Sequence, residues 1–225
     1  MSSLRGDFIQ QPSSFWRNGP QQLLFWSYLA FWLWAAINPY YREDWLIENL
    51  LVFATAIAMV ATYRWFQFSN LSYLLLTLFL ALHTLGAHYS YFVPLPGWLS
   101  EALGAAGRWN YDRVVHLSYG LLLAYPIWEV MRRVVRLEGV WAYSFTVMVV
   151  LATGAFYELL EMWVAMIVAP ELEDAFVGTQ GDVWDAQKDI ALAMYGALVV
   201  MALTAVVRRL GRQRRLAAYR DSRTG

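Results

Sequence analysis

Six apolar stretches alternate with short polar segments along the chain, and their lengths predict six membrane-crossing helices. The first occupies about 21–38 and is stopped by Asn38-Pro39; the second, about 46–63, is closed by Tyr63-Arg64. The third, about 71–92, ends at Val93-Pro94-Leu95-Pro96-Gly97, where two prolines cannot continue a helix. The fourth, fifth and sixth cover about 112–131, 141–169 and 186–207. About 20 residues of helix cross a hydrocarbon core of ~30 Å, so the fifth stretch has residues to spare for tilt or emergence. The pattern therefore predicts an all-α polytopic bundle over 21–207, after a polar segment 1–20 and before a tail 208–225.

Composition agrees. Of 225 residues, 59% are hydrophobic and 15% charged, with 12 Trp, 14 Tyr and 12 Phe. That is too apolar for an ordinary soluble domain. The first apolar run lacks a small-residue cleavage site and is expected to remain as an anchor. With no Cys, thiolate metal sites, iron–sulfur clusters and disulfides are excluded.

Charge sets the orientation. Thirteen Lys and Arg fall on the side holding both ends of the chain, seven of them between Arg208 and Arg223. Four, Arg42, Arg108, Arg113 and Lys188, fall on the other side. Positive residues favour the cytoplasm, so both termini are expected there. The same bias accounts for the basic tail, and nothing calls for nucleic acid. The opposite face carries Glu43, Asp44, Glu101, Glu171, Glu173, Asp174, Asp182 and Asp185.

With this orientation the ionisable residues fall in one outward layer. His83 and His88 belong to the outer half of the third span, and Asp112 and His116 to the outer end of the fourth. Glu158 and Glu161 lie past the midpoint of the fifth; Asp182, Asp185 and Asp189 open the sixth. A charge at mid-helix costs about 2.5–3.5 kcal/mol on insertion, so such residues face cavities and partners. Asp112 and His116 are four apart and share a face; so do Glu158 with Glu161, and Asp182, Asp185 and Asp189 if helical. His83 and His88, five apart, diverge by about 140°.

Each group has a structural reading beside the chemical one. Glu158 and Glu161 suit hydrogen bonds between helices. Asp182 suits an N-cap, with Asp185 and Asp189 favoured by the helix dipole and by Lys188. The Trp and Tyr abundance suits core packing and interfacial belts. Phosphate-binding loops, HExxH motifs and serine-hydrolase spacings are absent.

The stretches HTLGAHYSY (83–91), YDRVVHLSYGLLLAYP (111–126), YELLEMW (157–163) and GTQGDVWDAQKD (178–189) resemble the YjdF-like family of bacterial inner-membrane proteins, a domain of unknown function. More distantly, the chain is similar to the VanZ-like membrane proteins linked to glycopeptide resistance. The resemblance implies a multi-pass protein of the bacterial inner membrane. It carries over His83, His88, Asp112, His116, Glu158, Glu161, Gly181, Asp182, Asp185 and Asp189 as residues of the family motif.

Three functions fit these residues. One is a metal-assisted hydrolase or transferase acting on a lipid-linked or envelope substrate. Glu158, Glu161 and Asp112 would then be catalytic, and His116, His83, His88, Asp182, Asp185 and Asp189 would supply ligands to Zn, Mn, Fe or Mg. The second is a non-catalytic module binding a lipid head group or a partner. The third is a cation-coupled transporter, disfavoured because the acids lie at one side of the bundle and the two halves show no repeat.

Overall fold

The computed structural model describes residues 14–91, 111–168 and 184–224. Asp182, expected to cap the last helix, lies outside the described residues, as do Gly178, Gly181 and Val93 to Gly97. The described residues form a single 3-10 turn, Phe15–Arg17, and six helices: α1 Gly19–Ala35, α2 Arg42–Thr62, α3 Asn70–His88, α4 Tyr111–Arg133, α5 Gly139–Val168 and α6 Asp185–Thr224. All six occur where the apolar pattern puts them. By length and composition α2 to α6 can cross a membrane. Helix α1, with 17 residues, sits at the short limit for a crossing.

The boundaries have local causes. Asn18 caps α1 by accepting from the Gln21 amide, with Pro20 in the first turn, where its missing N–H costs nothing. Ser69 caps α3 in the same way through the Ser72 amide. Helix α2 starts four residues earlier than the apolar run, because Glu43 and Asp44 fall in its first turn and suit the dipole there. Helix α3 ends four residues before the expected 92: Ser90 and Tyr91 have φ of 46° and 59°. Side chains carrying a Cβ rarely adopt that region, so this turn is held by what surrounds it. Helix α6 runs straight through the basic tail to Thr224, since Arg, Leu and Ala are good helix formers.

The chain divides into two compact units, 1–118 and 119–225, with α4 contributing to each. In the first, α3 packs against both α1 and α2. Asn18 bonds Asn70, Tyr28 bonds Thr84 and the Ala35 carbonyl bonds His88, so α1 and α3 run parallel. Trp32 bonds Asn49 and Gln21 bonds Tyr63, which makes α2 antiparallel to α1.

In the second unit α5 packs along α6. Tyr119 bonds Thr153, and Trp128 stacks on Tyr143, so α4 and α5 are antiparallel. Gly120 abuts Ala193 and Ala197, while Arg208 lies 4.9 Å above the Trp128 ring, so α4 and α6 are parallel. Ala124, Trp128, Ala142, Val150, Ala193, Ala197 and Met201 form the buried core of this unit. Its small residues let helices approach closely, the packing mode of membrane interiors, where lipid offers no hydrophobic drive.

Candidate functional site

Each unit carries its own polar group. In the first, the two histidines of α3 are held by backbone carbonyls of other helices. His83 is 1% exposed; its Nε2 lies 3.0 Å from the Glu48 carbonyl of α2, and its Nδ1 lies 2.9 Å from the Tyr91 hydroxyl. His88 Nδ1 meets the Ala35 carbonyl at 2.8 Å, and its ring stacks on Trp34. Both nitrogens of His83 and one of His88 are thus engaged by groups that order the bundle. On α4, Asp112 and His116 share a face as their spacing requires, with Oδ1 and Nε2 3.6 Å apart and the imidazole buried. Of the histidines, His116 alone has a carboxylate one helical turn away.

The second unit holds the acids of α5 and α6. Their register follows from Gly154, whose added Cβ would stand 3.8 Å from the Ala193 Cβ. Because the helices are antiparallel, moving one turn along each brings Glu158 to the level of Asp189, and Glu161 to that of Asp185. Asp185 and Asp189 are buried, Asp189 to 1% exposure, and carboxylate oxygens of the two lie within 4.8 Å of each other. Two like charges at that separation repel by roughly 3.5 kcal/mol at an effective dielectric of about 20. Lys188 is exposed beside them.

Sequence reasoning singled out the histidines and the acids of α4, α5 and α6 but passed over Glu48 and Tyr91. Glu48 was hidden by its neighbours Glu43 and Asp44, which read as loop. Its signal was that it lies within the second apolar stretch, one turn beyond Asp44. Tyr91 carried no signal beyond closing the HTLGAHYSY stretch, because only the left-handed turn returns it to His83.

The family model described as "Predicted membrane protein (DUF2238)" matches residues 20–210. The inner membrane protein YjdF of Escherichia coli (strain K12) is 33% identical over 175 residues, covering 77% of this chain and 83% of that protein. No solved structure matches the chain.

Proposed function

This chain belongs to the family of predicted membrane proteins DUF2238, and from that premise we propose a divalent-cation-binding protein of the inner membrane. The carrying observation is the Asp185–Asp189 pair: two buried carboxylates within 4.8 Å on one helix face. A divalent ion offsets both charges at once, and the register of the helices puts Glu158 and Glu161 of α5 level with Asp189 and Asp185. Oxygen donors suit Mg or Mn. A bound ion would supply an activated water or polarise a phosphoryl or carbonyl oxygen. This supports metal-assisted hydrolysis or transfer on a lipid-linked or envelope substrate, reached from the outward side.

Metal analysis of protein purified without chelator tests the reading. The expected result is a bound divalent ion that is lost from the D185N/D189N variant and whose removal lowers the melting temperature. A metal-free protein whose melting is indifferent to added Mg, Mn, Zn and chelator overturns it.

A second reading has its own support. His83 and His88 are both bonded to carbonyls of neighbouring helices, which supports a structural role for them, as in a non-catalytic module. E158Q separates the two. A folded, metal-loaded variant without cellular activity favours the enzyme, and loss of folding favours the structural role.

A further inference from the structure

The Glu48–His83–Tyr91 cluster belongs to the first unit, and its geometry constrains where protons sit. A backbone carbonyl only accepts, so the 3.0 Å contact between His83 Nε2 and the Glu48 oxygen places a proton on Nε2. In a neutral ring Nδ1 is then an acceptor, and the Tyr91 hydroxyl 2.9 Å away must donate to it. The same hydroxyl lies 3.3 Å from Glu48 Oε2, and that oxygen is 3.8 Å from His83 Nε2. Tyr91 has one proton and faces two acceptors.

We propose that Glu48, His83 and Tyr91 form a proton-binding site in which the Tyr91 hydroxyl is the switch. One proton taken from water binds at His83 Nδ1. The nitrogen becomes a donor to the Tyr91 oxygen, and the tyrosine proton turns to Glu48 Oε2. Both ring nitrogens keep a hydrogen-bond partner in either state, which offsets the cost of burying a titratable ring. In the protonated state the cation is matched by the Glu48 carboxylate, and the three side chains are joined from His83 through Tyr91 to Glu48.

The surrounding structure is built to hold the switch. Tyr91 reaches His83 because Ser90 and Tyr91 adopt left-handed backbone, and its ring lies over Gly86, where a Cβ would come within 2.9 Å of it. Ser90 donates to Asp44 Oδ2 at 3.1 Å, tying the same turn to α2. Other titratable groups on the helices of this unit include Asp44 of α2, His88 of α3, Tyr28 of α1, bonded to Thr84, and Tyr111 of α4, bonded to the Leu82 carbonyl.

The test is nitrogen NMR of histidine-labelled protein, with infrared difference spectra of the carboxylate band, taken between about pH 5 and 8 where histidine titrates. H83Q assigns the ring signals. The expected neutral form has hydrogen on Nε2 alone, and acidification protonates Nδ1 while shifting the Glu48 carboxylate stretch. In Y91F the ring still titrates but the carboxylate band no longer moves with it; in E48Q that band is absent. A ring with hydrogen on Nδ1 in its neutral form overturns the proposal. So does a ring that does not titrate, or a carboxylate response that survives Y91F.

Discussion

Gly120 of α4 has no room for a side chain: a Cβ there would stand 1.9 Å from the carbonyl oxygen of Ala193 in α6 and 2.8 Å from the Ala197 amide nitrogen. The obstruction is backbone, which cannot rotate aside. Replacing glycine by alanine in a helix ordinarily gains up to about 1 kcal/mol. Here the helices must separate, at a cost of about 1–3 kcal/mol or more, so G120A is expected to lose stability. Gly211 of α6 provides the control, because nothing lies within 4 Å of its Cβ position. Thermal melts in detergent should show G120A below wild type and G211A level with it or above.

The register of α5 on α6 carries the placement of the four acids and can be read chemically. The chain has no cysteine to interfere. The Cβ positions of residues 154 and 193 are 3.8 Å apart, the mean separation across a disulfide, about 3.8 Å. The pair G154C/A193C should therefore cross-link under mild oxidation, with both thiols lost to alkylation. G154C/A197C, one turn out of register, should remain alkylatable. Equal cross-linking of both pairs would show that the level assigned to Glu158 and Asp189 is wrong.

These helices were legible in the sequence because lipid imposes a length and an apolar composition that folding cannot hide. The ends were less legible where polar residues enter a helix. Glu43 and Asp44 read as loop yet form the first turn of α2, and the arginines after Arg208 read as a tail yet continue α6. The polar positions of the candidate site could be read from spacing within one helix, as with Asp112 and His116. Pairings between helices could not, since the contact of Glu48 with His83 depends on the antiparallel register of α2 and α3. The Tyr91 contact depends on two residues with positive φ that no composition rule demands.

Asn49 is fully buried in α2 and serves two tryptophans. Its Oδ1 accepts from the Trp32 indole at 2.6 Å, and its Nδ2 donates to the Trp45 carbonyl at 2.6 Å. N49L keeps the volume and removes both bonds, leaving the Trp32 N–H facing an apolar side chain. A buried donor left without a partner costs about 1–3 kcal/mol, and hydrogen bonds in membrane interiors average nearer 0.6. The expected loss is thus about 1 kcal/mol, seen as a lower melting temperature and a shift in tryptophan emission. A melt and an emission spectrum matching wild type would show that this contact does not join α1 to α2.

For Asp189 the sign of the effect depends on the ion. Without a cation, Asp185 and Asp189 oppose each other within 4.8 Å, and neutralising one relieves up to roughly 3 kcal/mol of repulsion. With a cation bound, the same change removes a ligand and weakens a site that stabilises the fold by about 2.7 kcal/mol when the ion is at a hundred times its dissociation constant. D189N should therefore melt above wild type in chelator and below it in saturating Mg or Mn. The isosteric amide keeps the side-chain volume, so lost packing does not account for a crossover. If D189N is destabilised equally with and without metal, the carboxylate is a structural hydrogen-bond acceptor and the cation site must be sought elsewhere.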